Sequence, residues 1–402
     1  MNIAGRFHLT YCSNIHPGES WAEVLTNLQT YLPKVRDELG FKGRFGIGLR
    51  LSGIAARELE QPAELVRFKA FLESGNYYVF TINGFPYGVF HGQRVKEQVY
   101  LPDWLDPERL AYTNSLARIL SEVVPEDLDL PASVSTVPGA FKTSVRSRDD
   151  ELAIAGNMLR HVAFLKRLER TTGKRVTLAI EAEPRCFIET VDEMVRFFAD
   201  CLLDESLLSS ISAECAEPLT AESVRRYLGF CFDACHMAVE FEDPVDAIGR
   251  LKDAGISIFK FQISSAVRLD FERGDSTAAK YLAPFAEDVY LHQVVERVGT
   301  GELSRYTDLP EALEAEVSAV GGEQVEWRVH FHVPIFLSEM VGMGTTQSYL
   351  TDLFDAIGVN PPSGCLEVET YTWDVLPEQY RGVDVSTAVA RELRWVRDRI
   401  ES

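Results

Sequence analysis

The sequence predicts an α/β protein built as a single (β/α)8 barrel over residues 1–402, with a loop and hairpin insertion at about 288–334, before the last strand. Two observations predict the barrel and a third argues against its rival. Short apolar, β-rich runs alternate with longer stretches of helical period, the pattern of successive βα units that build a parallel sheet. No linker rich in Pro and Ser, internal repeat or low-complexity tract divides the chain. A doubly wound open sheet, the structural alternative, carries a GxGxxG turn after its first strand, and none follows here.

Taken in order, the strand candidates are 6–11, 45–51, 77–82, 132–136, 176–180, 227–232, 257–261, 328–332 and 366–370. Between them, helical periodicity covers 21–39, 107–124, 151–171, 190–203, 244–254, 309–320 and 347–357. End signals support several of these: Asp106 precedes Pro107 as an N-cap before a first helical residue, and Gly40, Gly173 and Gly255 stand where helices stop. Nine strand candidates are one more than the barrel needs. The surplus falls in the insertion, where Tyr290 to Val295, a turn at Gly299 and Gly301, and Ser304 to Tyr306 read as additional strand and hairpin.

Composition narrows the function. With 46% hydrophobic and 25% charged residues the chain can bury a sizeable core, which excludes disorder. Lys plus Arg is 40 and Asp plus Glu is 61, a formal charge of −21, so a nucleic acid would meet net repulsion. The best apolar run, 77–90, is broken by Asn83, Gly84, Pro86 and Gly88 and falls short of the roughly 18 residues of a membrane span. The N-terminal MNIAGRFHLTYCSN reads as a strand that begins the fold, and a cytoplasmic protein is the expectation. The seven cysteines are scattered, and Cys231 and Cys235 in CFDAC read as small core residues ahead of a soft metal or redox pair.

In such a barrel the active site is built at the C-terminal ends of the strands, so polar residues that punctuate apolar strand ends are the ones to collect. LAIEAEPRC supplies Glu181 and Glu183, CFDACHM supplies Asp233 and His236, and FKFQISS supplies Gln262. WRVHFHVP supplies His330 and His332, and LEVETYTW supplies Glu367 and Glu369. A strand has period two, so each Glu pair and the HxH pair projects to one face. Carboxylates gathered at one mouth repel one another, and a divalent cation offsets that cost while accepting imidazole nitrogen. Mixed N/O ligation suits Zn, Mn, Fe or Co and leaves Mg open.

A second polar cluster follows the first strand, where Asn14 and His16 stand ready to hold a substrate or to form an Asx turn and a plain helix entry. Asn83, Phe85 and Tyr87 in TINGFPYG have the same two readings. Lone histidines such as His8, His91, His161 and His292 read as packed or surface residues. No GxxxxGK[ST] loop, GxSxG elbow or HExxH helix is present, so P-loop hydrolysis, α/β-hydrolase acylation and zincin proteolysis lack their marks.

The order Glu, DxxH, HxH, strand-end Glu resembles the xylose-isomerase-like TIM-barrel superfamily of sugar isomerases and endonuclease-four-type repair enzymes. More closely, LTYCSNIHPGESW, IEAEPRC, CFDACHMAVEFEDP, HFHVPIF and LEVETYTWDVLP resemble the Ebo-cluster metabolite-traffic protein E family, from Leu9 to Pro377. That resemblance implies a cytoplasmic barrel working in a pathway that moves a small metabolite across the inner membrane, with a membrane protein of that pathway as partner. Carried over from the superfamily, the ligands would be Glu181 or Glu183, Asp233 with His236, His330 with His332, and Glu367 or Glu369. Gln262 stands where the superfamily commonly has a His ligand, and the third and fourth strands lack the histidines of the repair enzymes.

Two functions follow. The first is a divalent-metal-dependent enzyme of isomerase or epimerase type acting on a small hydroxylated or carbonyl metabolite, with Glu181 or Glu183, His236 and Glu369 as ligands or proton carriers. The second is a non-catalytic carrier that holds a metabolite for hand-off to a membrane partner. Tyr11, Phe85, Tyr87, Phe331, Tyr371 and Trp373 would wall the ligand in either case. The excess of titratable groups over what binding needs favours the enzyme.

Overall fold

A computed structural model of the chain describes residues 1–89, 95–286, 289–317, 321–358, 360–373, 376, 380 and 382–401. His91, Asp288 and the end of the helix expected over 309–320 lie outside the described residues. Seven barrel strands come first: β1 (Phe7–Tyr11), β2 (Phe45–Arg50), β3 (Tyr77–Asn83), β4 (Ala132–Thr136), β5 (Val176–Glu181), β6 (Leu228–Asp233) and β7 (Ile258–Ile263). The chain then leaves the barrel for β8 (Val267–Glu272), β9 (Val294–Val298), β10 (Leu303–Tyr306), β11 (Gln324–Val329), β12 (Glu339–Met340) and β13 (Met343–Thr345). It returns as β14 (Cys365–Val368), which pairs in parallel with both β7 and β1. A bridge between Cys12 and Gly48 joins β1 to β2 at the rim and closes the ring.

The eight barrel strands read as continuous buried runs, FGIGLR, VTLAIE and LGFCFD among them, as parallel strands covered on both faces must. The helices between them start and stop where local chemistry says. Ser20 and Glu23 form a capping box for the helix Trp21–Leu39, which ends at Gly40 with φ 64°. Ser147 and Asp150 do the same for Arg148–Thr172, which ends at Gly173 with φ 72°. No described helix is long and apolar enough to cross a membrane.

The eighth strand candidate, 328–332, is corrected. The strand is Gln324–Val329 and belongs to a second, six-stranded sheet in the order β10-β9-β11-β8-β13-β12, where it lies antiparallel between β9 and β8. The polar and apolar alternation of QVEWRV is the mark of such a sheet and differs from the continuous runs of the barrel. The insertion is also wider than expected, since its strands run from Val267 to Thr345. It emerges at the C-terminal end of β7 and delivers His330 and His332 just past the end of β11.

Bulky branched residues usually fill a barrel of this kind. Here a buried ion pair, Lys260 with Glu367, crosses the interior, and Lys260 Nζ also donates to Ser135 Oγ at 3.2 Å. Gly48 makes room for it: a Cβ there would lie 1.9 Å from Glu367 Oε1 and 2.6 Å from the Tyr11 carbonyl oxygen. Burial works against the Lys260 charge, and the Glu367 carboxylate outweighs it, holding the ammonium pKa well above its ordinary value.

Candidate metal centre

The ends of four barrel strands build a floor of buried carboxylates. Glu181 closes β5, Asp233 closes β6, and Glu369 follows β14. Gln262, on β7, ties them together. Its Nε2 lies within hydrogen-bond distance of all three, 2.9 Å from Glu181 Oε1, 2.9 Å from Asp233 Oδ2 and 2.5 Å from Glu369 Oε2. Asn14 and Asn83 donate to the other oxygen of Glu369 at 2.7 and 3.0 Å. Asp233 is also the N-cap of the helix Ala234–Val239, where its Oδ1 accepts the His236 N–H at 3.0 Å and the Ser264 hydroxyl at 2.7 Å. The DxxH spacing is therefore a capping spacing, which sets His236 in the first helical turn beside the carboxylate that caps it.

Above the floor three imidazoles converge, with ring centroids 4.5 Å apart for His236 and His330, 5.4 Å for His330 and His332, and 6.1 Å for His236 and His332. Each is oriented through Nδ1. His236 Nδ1 donates to the Ala182 carbonyl at 2.8 Å, and His332 Nδ1 to the Glu369 carbonyl at 2.9 Å. His330 Nδ1 donates to Gln293 Oε1 at 2.8 Å, because the Gln293 amide nitrogen is already committed to the Tyr100 hydroxyl and the Pro184 carbonyl. With the proton on Nδ1, every Nε2 carries a lone pair aimed inward, the tautomer that binds metal. His236 Nε2 and His330 Nε2 face each other at 3.1 Å, and His332 Nε2 is buried with no hydrogen-bond partner.

Burial sets the electrostatics. It pushes the Glu181 carboxyl up to about 7 and Glu183 up to about 8, and with the neighbouring Glu181 and Asp233 charges it holds Glu369 well above the carboxylate range. Burial lowers His332 to about 4, and burial with the adjacent imidazoles holds His330 well below the ordinary histidine value. Burial also raises Asp233, but His236, His332 and the two hydrogen bonds to its Oδ1 outweigh it and keep this carboxylate below its usual pKa. His330 and His332 are therefore held toward the neutral, Lewis-basic form, beside an Asp233 carboxylate that stays ionised.

These residues fit a divalent cation. Ligand atoms of Asp233, His236 and His332 lie within 4.8 Å of one another, as do those of Glu183, His236 and His330, of Glu181, Asp233 and Glu369, and of Cys235, His330 and His332. The orphaned His332 Nε2 is the sharpest sign, since an unpartnered buried acceptor costs free energy that a cation would return. The cavity leaves about 60 Å³ of free space, room for an ion and a few waters.

One wall of the cavity is polar and the other is apolar. Phe85, Tyr100, Tyr290, Leu291 and Tyr371 face the metal-ligating groups, and the Tyr371 ring packs at a tilt against His332, centroids 4.6 Å apart. Of the residues expected to hold substrate, Asn14, Asn83, Phe85 and Tyr371 line this cavity, the two asparagines by gripping Glu369. The structure places four others away from it. Tyr11 bonds His16 at 3.1 Å, and His16 stacks on Tyr31 at 4.0 Å. Tyr87 packs on Tyr112 and reaches Arg57 and Glu108. Trp373 is buried but is not among the lining residues. Glu367 points to the layer beneath, to Lys260, and is in none of the four convergent ligand groups. Period two puts it on the same face as Glu369, yet one layer deeper. Gln262 reaches the floor as a donor to its carboxylates.

Sequence reasoning passed over Tyr100, Gln293 and Lys260. Lys260 carried a legible signal, a cation two residues before Gln262 on a strand of period two. Tyr100 and Gln293 sit in a connection and in the insertion, where periodicity says nothing about which side chain reaches the site.

No family model matches the chain, and no curated protein matches it. Among solved structures it is similar to a xylose isomerase-like TIM barrel protein from Mycobacterium smegmatis in complex with magnesium, with 13% identity, a TM-score of 0.51, and 100% of this chain and 99% of that one covered. It is also similar to the probable 3-DHS dehydratase AsbF involved in petrobactin synthesis from Bacillus anthracis, with 14% identity, a TM-score of 0.45, and 96% and 98% covered. The IOLI protein with a binding zinc atom is 12% identical at a TM-score of 0.45, with 98% of each chain covered. The fold is a TIM barrel, as in the Mycobacterium smegmatis protein.

Proposed function

We propose that this protein is a divalent-metal-dependent enzyme of isomerase or epimerase type, acting in the cytoplasm on a small hydroxylated or carbonyl metabolite. The observation that carries this reading is the convergence of three imidazoles, each with Nδ1 committed to a carbonyl, beside buried carboxylates at the strand ends. Asp233, His236 and His332 would hold the ion, joined by His330, whose Nε2 lies 3.1 Å from that of His236, and this nitrogen-rich set favours Zn, Mn, Fe or Co over the magnesium of the fold neighbour. When bound, the ion would polarise a substrate C–O group.

The protein's own groups do the rest. Glu183, held at Oε1 by the Tyr100 hydroxyl at 2.7 Å, lines the cavity as a carboxyl that keeps or gives up a proton near neutral pH, the property an acid–base group needs. Phe85, Tyr290 and Tyr371 would cover the apolar face of the substrate and exclude water from it. Lys96, the one cation among the described lining residues, is bound to Asp308 at 2.6 Å.

The resemblance of LTYCSNIHPGESW and LEVETYTWDVLP to the Ebo-cluster family sets this chemistry in a metabolite-traffic pathway, with the product passed to a membrane protein and no role for nucleic acid. The carrier reading is weaker, since a cavity that only holds a neutral metabolite has no use for a carboxyl poised like Glu183. The test is solvent exchange. Metal-loaded protein incubated in D2O with a panel of polyols and hydroxy-ketones should place deuterium on carbon in at least one of them. The chelated protein and Glu183→Gln should not. Tight binding of a panel member with no exchange, by the loaded wild type, would favour the carrier.

A further inference from the structure

We propose that Gln262 occupies the carboxylate floor in place of a cation, so that this barrel holds a single transition-metal ion displaced outward onto imidazoles brought by the insertion. The inference rests on the metal-enzyme reading above and says where the ion sits and what kind it is.

Glu181, Asp233 and Glu369 would by themselves form an oxygen-only site, the kind that takes Mg. The Gln262 amide nitrogen already fills that point, within hydrogen-bond distance of one oxygen of each. The other end of the amide accepts from Cys231 Sγ at 3.4 Å, which fixes its orientation: flipped, its oxygen would face three carboxylates. Gln262 is fully buried, and Asn14 and Asn83 take up the remaining oxygen of Glu369. An ion on the floor would have to break these amide-to-carboxylate hydrogen bonds and displace a packed side chain.

One step outward the situation reverses. His332 Nε2 has no partner, and His236 Nε2 and His330 Nε2 lie 3.1 Å apart as two acceptors once each Nδ1 donates to a carbonyl oxygen. Their Nδ1 protons are held by Glu369, Ala182 and Gln293. An ion accepted by these nitrogens, with Asp233 at the edge of the floor as the anionic ligand, satisfies the orphaned His332 nitrogen and leaves Gln262 between Glu181 and Glu369. His330, His332 and Gln293 all come from the insertion between β7 and β14, so the second sheet supplies the imidazole side of the centre.

Titration with Co(II) and Mg(II), followed by calorimetry and by the visible d–d bands of cobalt, tests this on the full chain. Wild type should bind one Co(II) with a nitrogen-rich tetrahedral spectrum and bind Mg(II) far more weakly. His332→Ala and His330→Ala should each lose Co(II) affinity by about 100-fold or more, and Glu181→Gln should keep it within about threefold, with circular dichroism showing each variant folded. Two bound ions, or Glu181→Gln losing Co(II) as His332→Ala does, would overturn the placement and leave the metal-enzyme reading standing. A wild type that binds no ion would overturn both.

Discussion

His332 donates its Nδ1 proton to the backbone carbonyl of Glu369 at 2.9 Å, and this one bond ties the insertion to the segment that follows the last barrel strand. It also decides which nitrogen of His332 faces the cavity. A residue three positions past β11 is thereby registered against the end of β14, across 37 residues of chain.

The Gln293 side chain should matter to the ion without touching it. Its Oε1 holds the His330 tautomer, so Gln293→Leu should weaken Zn binding by about 10- to 100-fold, and Gln293→Glu should recover most of the loss. Competition against a chromophoric chelator measures both. Equal affinities in wild type and Gln293→Leu would show that His330 is not a ligand.

The buried Lys260–Glu367 pair makes a stability prediction. Lys260→Met leaves Glu367 without its cation in a fully enclosed layer, and should destabilise the fold by about 3–5 kcal/mol. Lys260→Met combined with Glu367→Gln should recover part of it. Urea denaturation gives both values, and a single variant as stable as wild type would contradict the ion-pair account.

Glu392 predicts a pH dependence. It is buried, with Oε1 accepting from the Thr370 hydroxyl at 2.7 Å and the Ile335 N–H at 3.2 Å, and burial pushes its carboxyl up to about 8. The folded protein therefore holds this proton more tightly than the unfolded chain, whose Glu titrates at about 4.3. The stability that the protonated group contributes is fully present below about 4.3 and is lost as pH rises toward 8. Glu392→Gln should be more stable than wild type at pH 8, with the difference shrinking toward pH 5. A difference independent of pH would rule out the assignment.

Metal removal should also register in folding. Zinc at about 100 times its dissociation constant stabilises the native state by about 2.7 kcal/mol, and a chelator removes that gain. Wild type should therefore melt lower after chelation, whereas His332→Ala should melt at the same temperature with and without zinc. Identical zinc-induced shifts in the two proteins would place the ion elsewhere.

Much of this site was legible because period two and the βα alternation are local. The runs ending in Glu181, Asp233, Gln262 and Glu369 announce strand termini, and barrel topology brings strand termini together. The misplacements were also physical. Tyr11, His16 and Tyr87 lie close to the strand ends in sequence, but each found a nearer aromatic or polar partner on the outer side of its loop. Residues 328–332 read as a barrel strand because HFH sets two ligating side chains two residues apart, as the ends of the carboxylate-bearing barrel strands do, while the strand that pairs lies a few residues earlier.

By itself the sequence determined the eight-strand alternation, the helix caps and the stock of ligating side chains, because these depend on residue type and on spacing of a few residues. Only the tertiary structure decided which nitrogen of each imidazole faces the cavity, that Gln262 fills the carboxylate floor, and that Glu367 serves Lys260. Those outcomes are set by hydrogen-bond partners that lie tens to hundreds of residues away along the chain, such as Gln293 for His330 and Asn83 for Glu369. Distances of that kind have no signature in local pattern, since they exist only after the barrel has closed and the insertion has folded back over its mouth.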